Sequence, residues 1–304
     1  MSMLTLKGPR WVTVRQHRRT LWALPAVVAA SLAGVVALRW WAQNAADLYP
    51  ADPDGPLRSA MDAAGTAMLL LPLLAGAFVA GPMVARELES GTYRLALTQS
   101  STPRAWLASK ITVAAAATTA CSAGLVGVYR LGLIPLGGTY RFSWPDRGPY
   151  ESTGTVVVAY CLLGVATGAL VGQLVRRTLP AMAATGLVTG LVMLVLGALR
   201  WSFLPVQTIT APLGSGTPKL PKDAFMMDLG LTTASGGRLP EWACFRHTHS
   251  LNQCPADLNV TGWYVEYHPV SHYWPTQSIE TAAVLVLAAL ALWGAFAVLR
   301  ARHP

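Results

Sequence analysis

Long apolar stretches alternate with shorter polar connections from one end of this chain to the other. A helix needs roughly 20 apolar residues to cross about 30 Å of hydrocarbon at about 1.5 Å per residue. Six stretches meet that length, approximately Leu21 to Ala42, Ala63 to Ala85, Ser109 to Ile134, Thr153 to Val175, Leu179 to Leu199 and Ser278 to Leu299. Inside a bilayer each must satisfy its backbone polar groups internally, so each predicts a helix. Gly, Ala and Thr are dense within them, as at Gly164, Gly168 and Gly172 and at Gly186 and Gly190. Small residues at that spacing let helices approach closely. The pattern predicts an all-α polytopic membrane protein with six transmembrane helices and a long loop before the last.

Composition agrees. The chain is 53% hydrophobic and 12% charged, against about a quarter charged in soluble domains, and its mean hydropathy is +0.41. The net charge of +9 does not point to nucleic acid, because the basic residues sit between apolar runs rather than in a patch interleaved with aromatics. They read as topology signals. With the N-terminus inside, Lys7, Arg10, Arg15, Arg18, Arg19, Arg86, Arg94, Arg104, Lys110, Arg176, Arg177, Arg300 and Arg302 all fall on the cytoplasmic side, accompanied only by Glu87 and Glu89. This predicts a multi-pass protein of a bacterial cell (inner) membrane with both termini cytoplasmic. The abundance of Arg over Lys and of Ala suggests a high-GC bacterium. The first span reads as retained, since it ends in Arg39-Trp40-Trp41 rather than at a small-residue cleavage site. Arg39 and Arg130 lie near outer helix ends, where a long side chain can snorkel to the headgroups.

Four segments follow. Residues 1–20 form a cytoplasmic N-terminal segment, either an interfacial amphipathic helix with Trp11 at headgroup level or a basic tail that fixes topology. Residues 21–200 carry the first five helices, including a cytoplasmic element at 86–108. Residues 201–277 form an extracytoplasmic loop or cap, and 278–304 the last helix with a short tail. In the cytoplasmic element, Gly91-Thr92 and Ser100-Ser101-Thr102-Pro103 are breaker and capping signals around a short helix from about Thr92 to Gln99. A second helix starts after Thr102, with Pro103 suited to its first turn. The element is expected against the cytoplasmic face with both acids and several bases exposed, either to dock a soluble partner or as an ordinary connection.

The outer loop is too long for an idle connection and is rich in Pro and Gly, which suggests a small lid. On the oxidising side of the membrane, Cys244 and Cys254 are expected to form a disulfide. A metal site built from Cys244, His247, His249 and Cys254 is the other reading of that spacing. Cys121 and Cys161 lie inside spans as buried apolar residues. Glu280, about one turn into the last span, has three readings: binding a cationic substrate, capping the helix N-terminus, or pairing with Arg200 or Arg39.

Catalytic signatures are missing. There is no Gly-x-x-x-x-Gly-Lys-Ser/Thr motif, and Gly214-Ser215-Gly216-Thr217-Pro218-Lys219 has the wrong spacing in the wrong place. His-Glu-x-x-His and Gly-x-Ser-x-Gly are absent as well. Neither a catalytic residue nor a metal or cofactor is assigned to this chain.

The stretches Ala85-Arg86-Glu87-Leu88-Glu89-Ser90-Gly91-Thr92, Leu97-Thr98-Gln99 and Arg104-Ala105-Trp106-Leu107-Ala108-Ser109-Lys110 resemble the permease subunits of ABC-2 type transporters, particularly the short actinobacterial kind. So does Tyr267-His268-Pro269-Val270-Ser271-His272-Tyr273-Trp274-Pro275-Thr276-Gln277-Ser278-Ile279-Glu280, which is similar to the family's entry into its last helix. The resemblance implies an ABC-2 (type V exporter-like) permease fold, although the loop before the last helix is much longer here than the re-entrant hairpin of many relatives. It implies that Glu87, Glu89, Thr92, Arg94, Gln99 and Arg104 face a cytoplasmic ABC ATPase, present in two copies and carrying ATP and Mg. It further implies a homodimer with spans two and five along the path, making Met68, Leu69, Phe78, Met182, Thr185, Thr189 and Met193 lining candidates. Such a Met-bearing apolar wall suits export of a hydrophobic or amphiphilic substrate such as a drug, peptide antibiotic or lipid-like metabolite. The rival readings are a non-transporting scaffold or sensor that binds through the outer loop, and a membrane enzyme using the outer His and Cys residues.

Overall fold

A computed structural model describes residues 9–45, 54–98, 102–136, 142–245 and 254–302. Two compact units emerge: a helical one, which includes Asp146–Arg200 and the chain from Gln277 onward, and a smaller one made of Ser143–Pro145 and Trp201–Thr276. Among the described residues, six helical runs are long and apolar enough to cross a membrane, so this is a multi-pass membrane protein.

In the helical unit, α1 (Pro9–Gln16) and α2 (Arg18–Ala45) come first. Leu4 and Lys7 of the expected N-terminal segment lie outside the described residues. On α1, Trp11 is half exposed and lies under the Arg15 guanidinium, while Thr13 is buried. The second span is one long rod of α3 (Gly55–Leu74), a wide π-turn (Ala75–Ala80) and α4 (Gly81–Glu89). It is longer than hydropathy alone suggests. The wide turn lies between Pro72 and Pro82, neither of which can donate to the helical ladder, and there Gly81 donates back to Gly76. The short helix α5 (Tyr93–Thr98) follows Gly91, whose φ of 71° is a conformation that glycine adopts without strain. Then α6 (Pro103–Leu133) begins with the expected chemistry: the Thr102 side chain accepts from the Ala105 amide, and Pro103 sits where no intrahelical donor is needed.

A short helix α7 (Arg147–Thr153) precedes α8 (Val156–Val175), α9 (Thr178–Leu199) and the last span α10 (Tyr273–Arg302). Apolar all round, α8 is the buried centre of the bundle, as such a helix must be. Its glycine row is a seam against the second span. A Cβ on Gly164 would stand 2.7 Å from the Pro72 carbonyl, and one on Gly168 2.8 Å from both the Ala80 Cβ and the Gly81 nitrogen. By contrast α9 leaves Leu179, Leu187, Leu191 and Leu194 exposed, which suits a lipid or protein neighbour rather than water.

The second unit is a four-stranded antiparallel sheet, which the apolar pattern does not announce. Its strands are β1 (Gln207–Pro212), β2 (Phe225–Thr233), β3 (Arg238–Pro240) and β4 (Val260–His268), in the order β1-β4-β2-β3. Leu231, Trp263 and Cys244 form its core, and Cys244 is bridged to Cys254. Trp144 donates to the Asp223 carbonyl and meets Trp201, Phe225 and Tyr273 edge-on.

Candidate functional site

The connection between α4 and α6 is built on two carboxylates with internal partners. Glu87, on the last turn of α4, accepts from Lys110 Nζ at 2.5 Å and from the Trp106 indole at 2.7 Å. The Lys110 side chain is only 4% exposed, and its ammonium also donates to Gln16 of α1 at 3.0 Å. Thr13 and Ser109 share a hydrogen bond beside it. One buried ammonium thus ties α1, α4 and α6 together. His17 stands nearby, and burial, then Lys110, hold its pKa below the usual imidazole value. Glu89 accepts from the Thr178 amide at 2.9 Å and from its hydroxyl, which places a carboxylate on the N-terminus of α9, where the helix dipole favours it.

Of the two acids expected to be exposed, Glu89 is and Glu87 is part-buried. The Glu87 carboxylate faces inward, because an ammonium and an indole N–H lie one α6 turn apart opposite it. Glu89 remains exposed but is engaged. The groups left outward are Arg86, Thr92, Arg94 and Arg104, all exposed. Gln99 lies outside the described residues. Tyr93 anchors α5 by packing with Leu88 and Trp106.

The seven path candidates divide. Phe78 and Met182 line an apolar groove with Leu73, Gly186, Leu187 and Leu191 between the π-turn and α9. Met68 is buried in the core around Met61 and Tyr129, and Met193 packs partly buried against the Tyr160 cluster. Thr185 and Thr189 are buried, the first bonded to the Ala181 carbonyl and the second to the Thr167 hydroxyl. Leu69 is half-buried.

A second polar centre joins α7, α9 and α10. Arg200 grips Glu280 at two points, Nε to Oε2 at 2.7 Å and Nη2 to Oε1 at 2.9 Å. The same Nη2 donates to Glu151 Oε1 at 2.9 Å. Tyr150 and Tyr160 donate to Glu280 as well, at 3.2 and 2.8 Å, and the guanidinium lies 4.0 Å over the Tyr150 ring. Of the three readings of Glu280, the structure selects the pair with Arg200. Capping drops out because α10 begins at Tyr273, two turns before Glu280. Glu151, Tyr150 and Tyr160 were not legible as its partners; an acid directly ahead of an apolar span was the only available signal.

In the sheet unit, His247 and His249 lie outside the described residues. Among the described residues, no group of three or more His, Cys, Asp or Glu could hold a metal ion.

Residues 52–200 match the family described as ABC-2 membrane transporter related. That stretch holds the second to fifth spans, the α4–α6 connection and Arg200. None of the curated proteins and none of the solved structures matches the chain.

Proposed function

We propose that this chain, which belongs to the ABC-2 type permeases, is the membrane-spanning half of an exporter driven by a separate cytoplasmic ABC ATPase. The α4–α5–α6 connection carries this reading. It is a short helix between two long spans, pinned by Glu87 from inside and by Glu89 onto the start of α9, with Thr92, Arg94 and Arg104 turned outward. An element so anchored passes rigid-body motion of a bound partner into α4 and α6 together, because it cannot yield locally. Glu87 and Glu89 then act as braces, and the outward basic residues supply the docking surface. ATP and Mg belong to the partner, in two copies.

The basic residues at the α4–α6 connection, the α8–α9 turn and both chain ends support a cytoplasmic position for all of them in a bacterial inner membrane. The sheet unit then lies outside the cell, where a Cys244–Cys254 disulfide persists. The apolar face of exposed Phe78, Leu187 and Leu191 with half-buried Met182 supports pairing with a second copy around a path for a hydrophobic or amphiphilic substrate.

The test is to co-express the chain with ABC ATPases encoded beside it, purify what assembles, and compare ATP turnover with and without the permease. A stable complex whose turnover responds to the wild type, and not to Arg94→Glu/Arg104→Glu, supports the reading. If no ATPase assembles with a well-folded permease, the assignment falls and a scaffold working through the sheet unit takes its place.

A further inference from the structure

The buried centre around Arg200 does not balance its charges. Glu280 is fully buried, and the side chains of Glu151 and Arg200 are 6% and 4% exposed, so two carboxylates share one guanidinium. They do not share it equally. Glu280 receives four hydrogen bonds, two from Arg200 and one each from Tyr150 and Tyr160. Glu151 receives one, from the Nη2 that also serves Glu280. Its other cation, Arg147, stands 3.9 Å away on an exposed side chain, where solvent weakens its pull.

A carboxylate buried with so few donors is the one that neutralises itself, because desolvation disfavours its charged form. Burial is the largest influence on Glu151 and pushes its pKa up. Glu280 pushes the same way, while Arg200 and Arg147 oppose. Among the described residues, few ionisable groups face this helix. Its own turn supplies Arg147 and Tyr150, the end of α9 Arg200, α10 Glu280 and α8 Tyr160. From α6, Arg130 donates to the Thr153 carbonyl and Tyr129 lies against Gly148; Asp146 at the start of α7 and Asp62 of α3 face Tyr129.

We propose that Glu151 is a proton-binding residue, which holds its proton while α7 is seated against Arg200 and releases it to water when α7 moves away. In the protonated state Oε1 still accepts from Arg200, and the centre is a neutral Arg200–Glu280 pair beside a carboxylic acid. Loss of the proton leaves one excess negative charge among buried side chains. The seating of α7 is therefore linked to proton uptake. The inference rests on this cluster alone and stands or falls independently of the exporter reading.

The protein in lipid nanodiscs is measured by infrared spectroscopy, following the carbonyl stretch of a protonated carboxylic acid against pH. The wild type keeps a component of that band to higher pH than the exposed carboxyl groups do and loses it on further alkalinisation, and Glu151→Gln lacks that late-titrating component. Because an acid raised in the folded state holds more protons than the unfolded chain, wild-type thermal stability falls as pH rises above the ordinary carboxylate range. That slope is absent in Glu151→Gln. Arg147→Gln, which leaves the buried groups untouched, shifts loss of the band to higher pH. No acid band that outlasts the exposed carboxyl groups, a late-titrating band that survives Glu151→Gln, or a titration that Arg147→Gln moves to lower pH overturns the proposal.

Discussion

Lys110 and Glu87 lie 23 residues apart and meet as an ion pair, Nζ to Oε1 at 2.5 Å, at the junction of α4 with α6. The ammonium is the more deeply enclosed partner, and Gln16 of α1 takes another of its protons. Removing it should therefore release three helices from one another.

Lys110→Met leaves a partly buried carboxylate without its cation. We expect a loss of about 2–3 kcal/mol, below the roughly 3–5 kcal/mol of a fully buried pair because Glu87 keeps some solvent. Thermal unfolding in detergent measures it. The double variant Lys110→Met/Glu87→Gln should recover most of the loss, since neither charge is then stranded; a double variant as unstable as the single one would show that packing, not charge, dominates.

Arg200 is the more demanding case, because two buried acidic side chains accept hydrogen bonds from it. Arg200→Met should cost about 3–5 kcal/mol, read as lost thermal stability and poor recovery from membranes. Combining it with Glu280→Met should restore part of that stability, as apolar replacements of buried ion pairs commonly do.

The seam between α8 and the second span is predicted to reject even one methyl. At Gly164 and Gly168 an added Cβ meets backbone atoms at 2.7–2.8 Å, so each Ala variant should cost about 1–3 kcal/mol as overpacking. Gly127, with open space around it, is the control. There Ala should be neutral or stabilising by up to about 1 kcal/mol, from helix propensity.

The sheet unit should respond to acid through His268. Its Nε2 lies 3.2 Å from the Trp201 carbonyl and so donates; its Nδ1, 2.9 Å from Nδ1 of His272, then accepts. Protonation would set two N–H groups against each other, and burial lowers the imidazole pKa from 6.5. A base whose pKa is depressed on folding gives stability that is present above its unfolded pKa and lost as pH falls. Protection factors in β4, taken against the intrinsic exchange rate at each pH, should fall below about pH 6.5, and His268→Gln should remove that dependence.

Local chemistry was the legible part. The span Leu179 to Leu199 became α9 at Thr178–Leu199, and Thr102-Pro103 opened α6 as its side chains require. The last helix starts earlier than its apolar window, at Tyr273, because polar Gln277, just ahead of that window, finds buried partners and so continues the helix. Gln277 donates to the Tyr150 carbonyl and accepts from the Val156 amide. Hydropathy counts such residues as breaks in the span.

By itself the sequence determined that the chain spans a membrane as helices, how many apolar runs it has and roughly where they lie, and that no ATP-hydrolysing motif is present. Each of these follows from properties carried along a single segment: apolar length, capping residues, charge bias and motif spacing. Only the tertiary structure decided that Glu87 faces inward onto Lys110 and Trp106, that Glu280 pairs with Arg200, that Glu151 is the poorly supported acid, and that the long loop holds a sheet. Those outcomes depend on partners distant in the chain, and whether a carboxylate is exposed, paired or protonated depends on which donors and how much solvent the folded neighbourhood brings to it.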